Sequence, residues 1–263
     1  MDAKRRQTLA EELYRALRDA APVDPISERH PEMGIDDAYD ISGRFLQLRM
    51  DNDGERVIGR KIGITAKAVQ RMLDVDQPDY GWLTDAMWVP HGAAITIAGT
   101  MIAPRVEGEI AFVLADDLAG PGVSEADVLA ATDFVAPCFE IVDSRIRDWK
   151  IRITDTIADN ASCGMFMIGP RAVSPFDLDL STCGMVFELN GEITATGAGA
   201  AALGASPLTT VAWLANAFGA RGESLKAGEV ILSGSLVPLQ PVKVGDVARI
   251  HVGGLGDLSI RFA

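Results

Sequence analysis

The pattern of short apolar runs between turn-forming residues constrains the fold of this chain more than any other feature. After residue 56, runs rich in β-branched and aromatic residues alternate with Gly, Pro, Asn and Asp, a pattern typical of strands joined by turns. The segments that carry this pattern are VIGRKIGI, MWVPHGAAITI, RVEGEIAFVLA, FVAPCFEIVD, GMFMIG, GMVFELNGEITATG, EVILSGSLV and VARIHVGGLGDLSIRF. Asn190-Gly191 predicts a hairpin turn inside one of them.

Helical periodicity dominates the N-terminal part of the chain instead. Leucines 9, 13 and 17 recur at helical spacing before Pro22, and a second apolar face over residues 38–48 ends near Gly54. Further helices are predicted from about Ser124, with Asp127 as its capping partner, and over about 207–218. The sequence therefore predicts an α+β protein with a helical N-terminal region and a mostly antiparallel sheet.

Charge and composition exclude several classes of partner. The net charge of −13 would repel nucleic-acid phosphates and anionic membranes, and no apolar run reaches the roughly 20 residues of a membrane span. The N-terminus lacks the continuous apolar stretch of a secretory signal. The cysteines, at 138, 163 and 183, have no CxxC spacing and are interpreted as reduced core thiols. We therefore expect a cytoplasmic protein without nucleic-acid or membrane partners.

Two glutamates share one face of a predicted strand. Alternation in RVEGEIAFVL places Glu107 and Glu109 on the same side as Ala111, with Val106 and Ile110 on the other. Carboxylates at i and i+2 lie about 7 Å apart, and burying both is costly unless a cation neutralises them. Glu140 lies in a second apolar run and is a natural third ligand. The alternative is that all three side chains point outward from half-exposed strands.

An all-carboxylate set favours Mg²⁺ or Mn²⁺ over Zn²⁺, whose sites usually contain His or Cys. The histidines lack HxH or HExxH spacing. The residues alone thus indicate a hard divalent cation, if one binds.

Several longer segments resemble one known family. They are GRKIGITAKAVQRMLDVDQPDYGWLTDAMWV, APRVEGEIAFVLADDL, CFEIVDSRIRDWKIRITDTIADNASCGMFMIG, TGAGAAALGASP and AGEVILSGSL. Together they resemble the 2-keto-4-pentenoate hydratase/4-oxalocrotonate decarboxylase family of the fumarylacetoacetate hydrolase superfamily. Gly108 stands where many relatives have alanine, which should only loosen the strand.

The resemblance implies a fold, a metal site and an assembly. The fold would be a mixed β-roll, residues 59–263, with a helical N-terminal region, residues 1–58. The family's metal ligands fall on Glu107, Glu109 and Glu140, for Mg²⁺ or Mn²⁺, and a homo-oligomer, a pentamer or decamer, is implied. The acid/base lysine falls on Lys61, and two further active-site positions fall on Asp79 and Ser162.

The implied activity is hydration of 2-hydroxypenta-2,4-dienoate in the meta-cleavage breakdown of aromatic compounds. Lys61 would shuttle a proton or stabilise the enolate, Asp79 would handle water or proton delivery, and Ser162 would orient the substrate. The alternatives are a 4-oxalocrotonate decarboxylase, a 2-oxohept-3-enedioate hydratase, or a non-catalytic structural partner of a decarboxylase.

Each of these residues also has an ordinary structural explanation. A lysine in a strand usually extends its ammonium to solvent, Asp79 in QPDYG is by default a turn residue, and Ser162 is by default a helix cap. Arg145 and Arg147 could bind a carboxylate or pair with nearby aspartates at 143 and 148.

Overall fold

The computed structural model describes the backbone of residues 1–263 and every side chain except that of Met72. The helices are α1 Ala3–Asp19, α2 Ile26–Arg29, α3 Ile35–Asp53, α4 Lys67–Leu73, α5 Glu125–Ala131, α6 Ile153–Ala158 and α7 Pro207–Gly219. The strands are β1 Val57–Gly63, β2 Asp79–Thr84, β3 Arg105–Leu114, β4 Thr132–Val142, β5 Cys163–Ile168, β6 Gly184–Leu189, β7 Glu192–Ala198, β8 Val230–Leu232, β9 Gln240–Pro241, β10 Val247–Val252 and β11 Gly256–Arg261. Among the described residues, no helix combines the length and apolar character that crossing a bilayer requires.

Two sheets form the body of the molecule. The larger has the order β2-β1-β8-β3-β4-β5, with β9 paired to β3, and the smaller has the order β11-β10-β6-β7. Only the β1–β8 pairing is parallel among the described strand pairs, so the predicted mostly antiparallel sheet is confirmed. Asn190 and Gly191, both with positive φ, join β6 to β7 as predicted.

The sheets pack closely at Gly108 in the middle of β3. A Cβ there would lie 2.6 Å from Met185 Sδ and 3.1 Å from Ile250 Cγ2, both on the smaller sheet. Phe139 of β4 contacts Phe187 across the same interface, with ring centroids 6.2 Å apart. The expectation that this glycine only loosens the strand is wrong, because its missing side chain lets the sheets approach each other.

The helices cover the other side of the larger sheet near its β2 edge. α1 packs on α3, α3 on α6, and α6 contacts β2. α1 buries Leu9, Leu13 and Ala16, and Gly54 ends α3 in the left-handed conformation, as the sequence predicts. Ser124 caps α5 through a capping box with Asp127, also as predicted.

One predicted strand is wrong. MWVPHGAAITI forms only isolated bridges at Trp88 and Ile95. Pro90 cannot donate a ladder hydrogen bond and Gly92 has φ of 83°, so the segment turns instead of extending. Conversely, residues 65–84 and 150–162, which are rich in turn-forming residues and for which no strand or helix was predicted, contain α4, β2 and α6.

Candidate metal centre and active site

Three glutamates meet on the face of the larger sheet that points away from the smaller one. Glu107 and Glu109 lie on β3, and the β3–β4 register places Glu140 directly opposite Glu107. One carboxylate oxygen from each residue lies within 4.8 Å of the others. Ligand oxygens about 2.0–2.6 Å from a shared ion are at most about 5 Å apart, so this spacing fits a single cation. Glu109 and Glu140 are fully buried, which excludes the alternative that all three point outward.

The carboxylate oxygens are poorly satisfied by the protein itself. Among the described residues, Glu109 Oε1 and both Glu140 oxygens have no hydrogen-bond partner. Glu109 Oε2 accepts one hydrogen bond of 2.8 Å from the Gly234 amide. Buried anions with too few donors are costly, and three converging carboxylates that lack hydrogen bonds at several oxygens match the oxygen ligands of a hard divalent cation. The residues present therefore fit a divalent metal.

Burial and mutual repulsion also shift the acidity of this cluster. Burial, with added repulsion from Glu140, raises the pKa of Glu107 to about 7. The same causes hold the pKa of Glu109 well above the ordinary range of a glutamate. Without a cation, these carboxyls therefore retain protons at a pH where a solvated glutamate is ionised.

Lys61 projects from β1 into the same interior space. Its side chain is buried, and Nζ lies 3.2 Å from Glu140 Oε1 as an ion pair without hydrogen-bond geometry. Burial favours the neutral amine, but the charges of Glu140 and Asp79 outweigh it and raise the pKa of the lysine. The ordinary explanation of a solvent-facing lysine is wrong for this position.

Asp79 is the first residue of β2 and pairs with Gly63 at the end of β1. A Cβ at position 63 would lie 2.2 Å from Asp79 Oδ1 and 3.3 Å from Lys61 Nζ. Gly63 thus leaves the space in which the carboxylate and the ammonium approach each other. Burial, opposed in part by the Lys61 charge, raises the pKa of Asp79 to about 6. The default turn interpretation of Asp79 is wrong.

Ser162 lies in a strained turn between α6 and β5. Asn160, Ala161 and Ser162 all have φ between 50° and 54°, a conformation that costs roughly 1–2 kcal/mol for each residue other than glycine. The Asn160 side chain secures the turn to β2, accepting from the Trp82 amide at 2.8 Å and donating to the Trp82 carbonyl at 3.0 Å. Ser162 therefore does not act as the helix cap that its sequence context suggests.

The arginines of SRIRDW have partners other than those considered from the sequence. Arg145 is fully buried and forms an ion pair with Asp159. Its guanidinium also donates hydrogen bonds to the backbone carbonyls of Asp143 and Cys163. Arg147 forms an exposed pair with Asp24. Neither pairs with the aspartate suggested by sequence proximity, and both are occupied within the fold.

The structure brings Lys61, Asp79 and the three glutamates together. Ser162 is linked to Asp79 indirectly, by the hydroxyl of Thr156. Thr156 Oγ1 lies 3.5 Å from Asp79 Oδ2 and 3.4 Å from Ser162 Oγ. Sequence reasoning missed Thr156, Gly63 and Gly234. For Gly63, the available signal was its position two residues after Lys61 in the predicted strand. For Thr156, no local feature of the sequence RITDT distinguishes it from an ordinary helix residue.

Comparison with known proteins places this geometry in a family. The model of the fumarylacetoacetate (FAA) hydrolase C-terminal family matches residues 56–263. A 2-hydroxyhexa-2,4-dienoate hydratase of Comamonas testosteroni is 55% identical over 257 residues, which cover 97% of each chain. A 2-hydroxypent-2,4-dienoate hydratase of Pseudomonas putida is 58% identical over 219 residues, which cover 83% of this chain and 98% of the relative.

A solved structure extends the likeness to three dimensions. The 4-oxalocrotonate decarboxylase from Pseudomonas putida G7, complexed with magnesium and adipate, matches with a TM-score of 0.95 at 37% identity, over 100% of this chain and 99% of that chain. This match confirms the predicted fold class, a mixed β-roll with a helical N-terminal region.

Proposed function

Because the chain belongs to the fumarylacetoacetate hydrolase family, as an enzyme of its hydratase branch, we propose that it hydrates 2-hydroxypenta-2,4-dienoate (2-keto-4-pentenoate) or a close homologue. The product would be 4-hydroxy-2-oxopentanoate, formed in the meta-cleavage breakdown of aromatic compounds. The observation that carries this proposal is the cluster of buried carboxylates that lack hydrogen bonds at several oxygens and lie beside Lys61 and Asp79.

Glu107, Glu109 and Glu140 would hold the ion, which we propose is Mg²⁺ or Mn²⁺. When bound, it would supply Lewis-acid stabilisation of the negative charge that develops as the dienol ionises. The oxygen-only donor set supports these metals over softer ones.

The chain's own residues would manage the protons. The reaction needs a proton at the terminal carbon of the dienol and then water at C4, with a final proton at C3. Lys61 Nζ would hold or move a proton beside the substrate oxygen, and Asp79 Oδ1, which has no hydrogen-bond partner among the described residues, would accept a proton from water. The Ser162 hydroxyl would orient the substrate. Each such contribution is worth about 10²–10⁴ in rate.

A decarboxylase that acts on a dicarboxylate is the second candidate, since the 4-oxalocrotonate decarboxylase match spans the whole chain. The higher identity to two hydratases supports hydration as the first choice. A 2-oxohept-3-enedioate hydratase would share the chemistry and differ in the distal end of the substrate.

Incubation of the purified chain with 2-hydroxypenta-2,4-dienoate and with its dicarboxylate analogue separates these possibilities. We expect loss of dienol absorbance without CO₂ release on the monocarboxylate, dependent on Mg²⁺ or Mn²⁺ and abolished by EDTA. CO₂ release from the dicarboxylate as the faster reaction would instead select the decarboxylase.

A pair of lysine variants tests the site itself. Lys61→Ala should lose about 10²-fold or more in turnover, whereas Lys150→Ala, at an exposed position, should not. Near-normal turnover in Lys61→Ala would remove this lysine from the mechanism.

We further infer a cytoplasmic homo-oligomer, a pentamer or decamer. The family supports the assembly, and the exposed apolar side chains of Trp88, Phe176 and Ile193, at 53%, 66% and 65% exposure, would be covered in it. The free, buried cysteines suit a reducing compartment. Light scattering on the purified chain tests the assembly, and a monomer would contradict it.

A further inference from the structure

One buried hydroxyl lies between two predicted active-site groups. Thr156, on α6, is 5% exposed. Its Oγ1 is 3.5 Å from Asp79 Oδ2 and 3.4 Å from Ser162 Oγ. Ser162 is six residues from Thr156 in sequence and Asp79 is 77 residues away, so the packing of α6 against β2 brings Asp79 to this hydroxyl.

Asp79 depends on this hydroxyl. Asp79 Oδ1 has no hydrogen-bond partner, and no other described side chain donates to Oδ2. The carboxylate is otherwise confined by the absence of a side chain at Gly63 and by the nearby Lys61 ammonium. Thr156 therefore holds Oδ2, which leaves Oδ1 beside the space at Gly63.

Ser162 has a second partner on its other side. Its hydroxyl lies 3.4 Å from Asp159 Oδ2, and Asp159 is held by the Arg145 amide at 2.9 Å and by the Arg145 guanidinium. The far end of the chain of hydroxyls is therefore a fixed anion.

The single hydroxyl proton of Thr156 limits the hydrogen bonds that it can donate. A hydroxyl donates one hydrogen bond, so Thr156 donates either to Asp79 or to Ser162, whereas Ser162 can donate to Asp159. If Thr156 donates to Ser162, the buried Asp79 Oδ2 loses its donor, which is costly. An ionised Asp79 therefore favours donation from Thr156, and the Ser162 proton stays available to Asp159.

We propose that Thr156 is a positioning residue that orients the Asp79 carboxylate. This inference rests on the proposed function of the site, in which Asp79 and Ser162 act on water and substrate. It assigns Thr156 no contact with substrate or metal.

Replacement of the hydroxyl tests the proposal. Thr156→Val keeps the shape and removes the hydrogen bonds, and we expect kcat for 2-hydroxypenta-2,4-dienoate to fall about 10- to 100-fold with KM changed less than about threefold. Thr156→Ser retains the hydroxyl and should remain within about threefold of the wild type. Thr154→Val, on the same helix and away from Asp79 and Ser162, is the matched control and should behave as the wild type.

A double-mutant cycle distinguishes an effect of Thr156 through Asp79 from a general structural effect of the substitution. If Thr156 acts through Asp79, Thr156→Val should cost little further kcat in an Asp79→Asn background. Thermal unfolding and Mg²⁺ affinity by calorimetry should match the wild type in the single variant. If the valine variant does not fold, Thr156→Ala and Thr156→Ser, which differ by one hydroxyl, provide the same comparison.

The outcomes separate the two proposals. An inactive wild type would overturn the proposed hydration. An active wild type with equal kcat in Thr156→Val and Thr154→Val, or with fully additive losses in the cycle, would overturn the role of Thr156 alone.

Discussion

Two sets of fully buried carboxylates in this molecule are treated in opposite ways. Around α6, Asp155 accepts from the Ser27 amide and hydroxyl and from the Arg152 amide. Asp159 nearby is matched by Arg145. On β3 and β4, by contrast, three of the four oxygens of Glu109 and Glu140 have no hydrogen bond among the described residues, and Lys61 is the cation beside them.

Asp155 and Asp159 form a paired set, whose carboxylates are satisfied by groups of the chain itself. Glu107, Glu109 and Glu140 form a reserved set, whose oxygens remain available to a ligand. A buried charge that is fully paired can be explained by the chain alone. Three carboxylates that share one ammonium, that of Lys61, and lack most of their hydrogen bonds are stable as anions only if something outside the chain satisfies them, and here the spacing fits a cation.

The largest expected effect is on the reserved set. Glu109→Gln removes a charge but keeps an acceptor for the Gly234 amide. We expect turnover to fall by at least about 10³-fold, because a catalytic cation contributes several kcal/mol. The metal-free variant should nevertheless resist denaturant better than metal-free wild type, since folding no longer requires a buried carboxyl at position 109 to take up a proton or hold a charge. Unchanged Mg²⁺ affinity by calorimetry would contradict the predicted ligand role.

Removal of a partner from the paired set should cost stability instead. Arg145→Met leaves Asp159 buried and unpaired, and we expect the free energy of unfolding to fall by about 3–5 kcal/mol. Arg147→Met, which breaks an exposed pair, should change it by less than about 1 kcal/mol. Urea titration measures both, and equal effects would show that burial does not distinguish the two pairs.

The pH should act on the metal-free reserved set with a definite sign. The pKa of Glu107 is raised from 4.5 to about 7, so the folded state binds more protons than the unfolded state between these values. Its stabilising contribution is complete below about pH 4.5 and is lost as the pH rises towards 7, by about 1–3 kcal/mol.

The control for this pH dependence is Glu107→Gln in EDTA, in which that part of the slope should vanish. With Mg²⁺ present the sign should reverse, because the ion binds deprotonated carboxylates. Parallel pH profiles for wild type and variant would show that Glu107 ionises normally.

The smallest expected effect on turnover concerns Gly63, whose missing side chain leaves space next to Asp79 and Lys61. Gly63→Ala places a Cβ 2.2 Å from Asp79 Oδ1, and we expect the displaced carboxylate to lower kcat about tenfold. Gly43→Ala, in α3 with no atom within 4 Å of the added Cβ, should keep full activity and gain about 0.5–1 kcal/mol of stability. Steady-state kinetics decides, and full activity of Gly63→Ala would mean that Asp79 is free to move.

Periodic features of the sequence predicted the fold and part of the site. Strand alternation placed Glu107 and Glu109 on one face, because neighbouring residues suffice to define it. The family resemblance, confirmed by the comparisons, supplied Lys61, Asp79 and Ser162. Their catalytic roles, and the division at residue 58, stay predictions.

Long-range contacts account for what the sequence could not predict. Arg145 pairs across fourteen residues with Asp159 and not with Asp143 two residues away, and Thr156 meets Asp79 from 77 residues away. β2 was missed because Pro78, Asp79 and Gly81 are typical of a turn. Only pairing with β1 overrides that local preference.

The direct pairing of Glu107 with Glu140 on two interior strands of the larger sheet has a consequence for the amount of enzyme in a cell. An ion held across these two strands would favour the folded state by mass action, by about 2.7 kcal/mol at a free concentration 100 times its dissociation constant. Cells starved of that ion would then clear the unoccupied chain by proteolysis as well as lose its activity. Metal supply would thereby set enzyme abundance.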